Sequence, residues 1–249
     1  MKRVGKILLA IFGGLLALVL AGGAGIYLLN RHPLPSSTGG AAAEALADRI
    51  ETTIGCAAWK ELPAVAFRLG GREHLWDKAR GLAQVRFGGR DVRFVINDKR
   101  GRAFADGREL VDSAERQALV ERAYAWWAND SFWLNPLCKL HDDGTERGLA
   151  TIDGKPALSI HYRTGGVTPG DRYLWIVDEA SRPVAWRLYV GILPIPGVEL
   201  SWEGWTTVGG VQLSTVHRDR LGLPVVRIRE LRAGNTVALA GGQDPFEGL

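Results

Sequence analysis

Five histidines, His32, His74, His141, His161 and His217, are the side chains best placed to exchange protons near neutral pH. Their spacing argues against a metal centre. No HExxH pair occurs, and no two histidines fall at the helical spacing of a zinc site. His141-Asp142-Asp143 is the densest group with metal-binding character. It follows the apolar "WLNPLCKL" and reads as a polar turn, because zinc needs three or four ligands in a defined geometry. His217-Arg218-Asp219 reads as an exposed strand end. There is no GxSxG elbow. The carboxylate pairs Asp142-Asp143 and Asp178-Glu179 sit in turn-like stretches, where a glycosidase pair across a cleft has no support. Gly70-Gly71 and Gly88-Gly89 are hairpin glycines rather than a phosphate cradle, since neither opens a helix after a strand. No catalytic residue, metal or cofactor is expected.

Cys56 and Cys138 are the only cysteines and lack the context of a thiol protease. A disulfide between them is permitted in an oxidising compartment. Two separate buried thiols are the alternative.

Aromatic side chains are the strongest signal. Nine tryptophans are spread over the chain, and "AYAWWANDSFWLNPLCKL" (123–140) concentrates three of them. Core packing and the wall of an apolar ligand site are the two readings. The candidate cavity or plug residues are Trp126, Trp127, Phe132, Trp133, Trp175 and Trp186.

The elements that would position these residues are mostly strands. "AAAEALADRIETTI" (41–54) is expected to be helical, with Ala42, Leu46, Ile50 and Ile54 on one face and Gly55 as its stop. A second helix is expected from Ser113, as its cap, to Asn129. Asn129-Asp130-Ser131 should break the chain, and a short apolar segment should follow, stopped near Pro136. Most other segments are short, rich in β-formers and separated by turn residues. In "VAWRLYVG", Val184, Trp186, Leu188 and Val190 should share one face. About ten strands with two helical interruptions suggest one large antiparallel sheet covered by helices.

The N-terminus differs in kind. Lys2, Arg3 and Lys6 precede Ile7–Leu29, 23 residues without a charge. A spanning helix needs about 20 apolar residues, and a signal-peptide core only about 7–15. Residues 1–30 are therefore expected to be a signal anchor, 31–40 a flexible linker and 41–249 one domain. The flanking charge predicts a single-pass protein with a cytoplasmic N-terminus; in a bacterium the domain would be periplasmic, or secreted if the segment is cleaved. Without the three basic residues of 1–30, 28 basic face 27 acidic side chains, a balance unsuited to nucleic acid. The basic stretch "GRDVRFVINDKRGR" (89–102) is read as a strand pair with a solvated turn rather than a headgroup site, because Asp91 and Asp98 offset its charge.

"EHLWDKARGLAQVRF" (73–87), "NDSFWLNPLCKLHDDG" (129–144), "GDRYLWIVDEASRPVAWRLY" (170–189) and "WEGWTTVGGVQLSTVHR" (202–218) occur in this order. Together they resemble a bacterial envelope family of unassigned function grouped with the LolA/LolB outer-membrane lipoprotein carriers. The resemblance spans roughly residues 41–233. It implies a mainly β protein, a curved antiparallel half-barrel whose concave face is plugged by helices and accepts acyl chains, with no catalytic residues to transfer. The expected partner is a lipid or acylated ligand, with the membrane reached through the N-terminal helix. A protein-docking module without a ligand, and a hydrolase using His217 or His141, are the alternatives.

Overall fold

A computed structural model describes Gly25 and residues 31–164, 169–193 and 195–249. The expected anchor otherwise lies outside them. Among the described residues no helix is long and apolar enough to cross a membrane. The single-pass inner-membrane placement drawn from the sequence is corrected accordingly: apolar length and flanking charge carried it, and no spanning helix among the described residues supports it.

Helix α1 (Ala41–Ile54) ends at Gly55, whose φ of 82° is the left-handed conformation that glycine adopts at least cost. Its buried stripe is Ala43, Leu46, Ala47, Ile50 and Ile54. Ala42 is exposed, one position off the expected face. A short helix α2 (Cys56–Glu61) follows directly.

Strands β1 (Ala64–Leu69), β2 (Arg72–Asp77), β3 (Leu82–Phe87), β4 (Arg90–Val95), β5 (Gly101–Ala105) and β6 (Arg108–Glu109) form a meander. Every neighbouring pair is antiparallel. Alternation sends Val65, Phe67, His74, Trp76, Ala83, Val85, Val92 and Phe94 to one face. Ala66, Leu75 and Leu82 on the other face pack under the C-terminal Leu239, Phe246 and Leu249.

Helix α3 (Ser113–Leu134) lies across β3–β5 through Leu119, Val120, Ala123 and Trp127. Gly101 permits this approach. A Cβ there would lie 2.5 Å from the Arg93 carbonyl oxygen and 3.0 Å from Val120 Cγ2. The cap is Asp112, not Ser113: its carboxylate accepts the Glu115 backbone N–H at 2.7 Å. The helix also runs through Asn129-Asp130-Ser131 to Leu134, so the expected polar break is absent. A 3₁₀ turn, Pro136–Lys139, then leads to the second sheet.

That sheet contains β7 (Thr145–Ile152), β8 (Lys155–Tyr162), β9 (Arg172–Val177), β10 (Pro183–Tyr189) and β11 (Val198–Ser201), in the order β11-β10-β9-β8-β7. Two hairpins follow, β12 (Thr206–Val208) with β13 (Val211–Leu213), and β14 (Val216–Arg218) with β15 (Pro224–Arg227). Strand β16 (Arg229–Gly234) returns to pair with β1, and a short helix α4 (Thr236–Leu239) closes the pattern. Two large antiparallel sheets therefore replace the single one expected. The ladder breaks where α3 intervenes between β6 and β7. Neither sheet is closed, and mainly β architecture with a few helices is consistent with a curved half-barrel.

In β10 a register shift between Pro183 and Ala185 turns Val184 outward to 36 % exposure, off the face shared by Trp186 and Leu188. Residues 31–38 run against the second sheet despite their linker-like composition. The His32 N–H donates to the Pro196 carbonyl (3.0 Å), and Thr38 and Leu149 exchange both backbone hydrogen bonds (2.9 and 2.8 Å). The Tyr189 hydroxyl donates to the Pro33 carbonyl at 3.1 Å. This covers part of the β7 edge, which would otherwise expose unpaired backbone groups.

Cys56, at the start of α2, is bonded to Cys138 in the 3₁₀ turn, with Cα atoms 5.3 Å apart. The bridge fastens the end of α3 to the α1–α2 corner.

Candidate functional site

The inner faces of the two sheets meet over a core built largely from tryptophan. Trp175 and Trp186 are fully buried and stacked, with ring centroids 4.7 Å apart. Trp202 lies edge-on to both, at 4.9 and 5.3 Å. Trp133 meets Trp186 edge-on at 4.9 Å. This part of the concave side is filled by side chains.

His217 belongs to this cluster rather than to a strand end. It is fully buried, with its ring 4.3 Å from Trp202 and 5.6 Å from Trp133. Its Nδ1 lies 3.1 Å from the Ser201 carbonyl, which can only accept, so the proton sits on Nδ1. Burial pushes its pKa down to about 4. His141 instead contacts Asp48 (3.1 Å) and Glu44 (3.7 Å) on α1. The two histidines therefore lie in different surroundings with different partners, so the structure does not bring them together. Among the described residues no group of three or more His, Cys, Asp or Glu side chains is arranged to hold a metal.

The polar triplet of α3 has a role that the sequence hid. Asp130 is fully buried and accepts from His74 Nε2 (2.8 Å), Arg72 Nε (2.7 Å) and Nη2 (3.1 Å), and Asn129 Nδ2 (2.9 Å). Burial pushes its carboxyl pKa up, yet the hydrogen bonds from His74 and Arg72 outweigh that and hold it below the usual carboxylate value. His74 in turn stacks on Phe67 at 4.6 Å. These contacts pin α3 to β1 and β2.

A cavity of about 330 Å³ remains where α3 leaves the first sheet and the second begins. One wall is Trp76, Tyr124 and Trp127, with Trp127 5.2 Å from Trp76 and 5.8 Å from Tyr124. Phe132, Tyr162 and Tyr173 form the other, with centroids 5.1–5.8 Å apart. Burial pushes both phenols, Tyr162 and Tyr173, well above the usual tyrosine range, so they stay neutral. Trp127 is 8 % exposed, and its indole N–H has no hydrogen-bond partner among the described residues. Polar side chains, among them Ser131, Lys139, Asp142, Asp143, Thr164 and Asp171, complete the lining.

Of the six aromatic candidates, Trp127 and Phe132 line this cavity. Trp133, Trp175 and Trp186 lie in the packed core, and Trp126 sits outside, edge-on to Phe87 at 4.5 Å and under Arg72. Trp76, Tyr124, Tyr162 and Tyr173 were missed. Alternation in "REHLWD" places Trp76 inward, but only the crossing of α3 shows what it faces. The basic stretch on β4–β5 is internally compensated: Arg93 binds Asp91, Arg100 binds Asp98, and Arg102 binds Glu109. Large exposed apolar side chains among the described residues are aliphatic, such as Leu221, Leu223 and Val225. The exposed aromatic patch that a docking module would show is not among them.

No family model and no curated protein matches the chain. Among solved structures it is similar to a DUF1329 family protein from Desulfovibrio piger. That match has 12 % identity and a TM-score of 0.38, covering 81 % of this chain and 99 % of the other. It is also similar to the Mycobacterium tuberculosis lipoprotein LppX, at 14 % identity and a TM-score of 0.23, covering 59 % and 89 %. Similarity at this level carries no family membership.

Proposed function

We propose that the protein binds a lipid or other apolar-bodied ligand non-covalently in the cavity between α3 and the second sheet. The observation that supports this is the cavity itself: about 330 Å³, walled by Trp76, Tyr124, Trp127, Phe132, Tyr162 and Tyr173. Small-ligand pockets begin near 300 Å³, and their walls are mainly aromatic and apolar with a few polar groups. Each CH₂ enclosed there contributes roughly 0.8 kcal/mol, so binding requires no covalent chemistry. The Trp127 N–H, without a hydrogen-bond partner among the described residues, favours a ligand that also offers one acceptor oxygen to the wall.

Titrating the purified protein with 1-decanol while following tryptophan fluorescence tests the proposal. Saturable change is expected, because Trp76 and Trp127 are wall residues. A flat titration, together with a native mass spectrum free of co-purified lipid, would sink it.

A further inference from the structure

We infer that one end of the second sheet docks on a lipid surface bearing anionic headgroups. Aliphatic tips enter the headgroup boundary and arginines behind them engage the phosphates. The contact is peripheral, needs no spanning helix and does not depend on the cavity being a ligand site. Strand β14 runs antiparallel beside β11. Glu203 and Val216 exchange backbone hydrogen bonds (3.0 and 3.1 Å), and the Arg218 N–H donates to the Ser201 hydroxyl at 3.0 Å. The β14–β15 tip, 219–223, therefore points along β11 to the end where β10 passes into β11. There Arg220 Nη1 lies 3.3 Å from His32 Nε2, and His32 is bonded to Pro196.

Aliphatic side chains stand out at this end. Ile192 and Leu193 in the β10–β11 loop are 74 % and 38 % exposed, and Leu221, Leu223 and Val225 on the hairpin 69 %, 59 % and 56 %. These are five of the nine large apolar side chains left exposed among the described residues, so the exposure is concentrated rather than scattered. Alternation turns Val226 and Ile228 into the core and leaves Leu223, Val225, Arg227 and Arg229 on the outer face. The tip is held in shape. The Asp219 carboxylate accepts the Leu221 and Leu223 N–H groups (3.0 and 2.8 Å), and Arg218 Nη1 donates to the Gly222 carbonyl (2.8 Å). Pairing these backbone groups within the turn lowers the cost of bringing it against an apolar layer.

Charge complementarity favours lipid headgroups as the occupant. Residues 218–232 carry five arginines against Asp219 and Glu230. Arg227 and Arg229 are exposed and enter no ion pair among the described residues. Their planar forks match phosphate oxygens. Hot spots between proteins are rich in tryptophan and tyrosine and poor in leucine and valine, the reverse of this patch. Arg31, next to His32, follows the uncharged stretch Ile7–Leu29 by two positions. The most apolar sequence of the chain therefore joins the described residues beside the patch.

The test places a nitrobenzoxadiazole label on Leu221→Cys in the full chain, with Cys56–Cys138 left oxidised. Vesicles are phosphatidylcholine, with and without phosphatidylglycerol. Emission should shift to the blue on the mixed vesicles and much less on phosphatidylcholine alone. The same label on Val111→Cys, at a site 90 % exposed between β6 and α3, should stay in water. Arg227→Gln should raise the half-saturating lipid about fivefold, as for one arginine at an anionic surface, and high salt should act likewise. No shift at Leu221, an equal shift at Val111, or a shift indifferent to phosphatidylglycerol overturns the inference. A shift that grows with protein concentration in the absence of vesicles also overturns it and assigns the patch to a second copy of the chain.

Discussion

At the scale of single residues, two buried polar groups contribute to how the protein responds to acid. His217 is neutral in the folded chain, with a pKa lowered from 6.5 to about 4 by burial. An unfolded histidine takes up a proton below about pH 6.5. Stability from this group is complete above that pH, falls as pH drops, and is spent by about pH 4, a loss on the order of 3 kcal/mol. Urea midpoints measured from pH 7 to 4 should fall accordingly, and His217→Gln should flatten that dependence. Asp130 acts lower on the scale. Its depressed carboxyl contributes stability above the ordinary Asp value, lost as pH falls through the folded value. Asp130→Asn leaves His74 and Arg72 without their anion and should cost about 3–5 kcal/mol in urea unfolding at pH 7. If α3 were held by apolar contacts alone, the change would be near zero.

Elements depend on fasteners that lie far apart in sequence. The Cys56–Cys138 bond joins residues 82 positions apart and fixes the chain leaving α3 against α1 and α2. Closing a loop of that length removes unfolded-state entropy. Cys56→Ser with Cys138→Ser should therefore lower stability by roughly 2–4 kcal/mol, seen as a lower melting temperature. Reduction of the native protein should match the double variant. A lack of effect from either would mean that packing of Leu134, Leu137 and Leu140 holds the segment alone. Strand alternation, turn glycines and the α1 stripe were legible because each depends on neighbours within a few residues. The full extent of α3 was not. "NDS" signals a break locally, but Arg72 and His74, more than fifty residues away, satisfy Asp130 inside the helix.

For the whole molecule, the arrangement of the two sheets creates the proposed site. One aromatic wall comes from the first sheet and α3, the other from the end of α3 and the second sheet. Ala128 lines the cavity from α3. Ala128→Trp should abolish the decanol-induced fluorescence change while circular dichroism stays native. Retained binding would move the ligand elsewhere. Of the six aromatic candidates only two border open volume, for a physical reason: aromatic residues mark buried volume but not whether that volume is filled. Trp127 and Phe132 face space, whereas Trp175 and Trp186 face each other.

By itself, the sequence determined that this chain is mainly β with an amphipathic helix before its strands and an aromatic-rich helix between them. Those properties follow from period, turn chemistry and composition, which act locally. It also determined the near-balance of charge beyond the apolar N-terminal stretch. Tertiary structure alone decided that the strands divide into two open sheets, that β16 returns to β1, and that Asp130 is a buried ionic tie. It also decided which aromatics surround open volume. Each of these is a long-range pairing, set by what another part of the chain offers as a partner, and no local pattern records that choice.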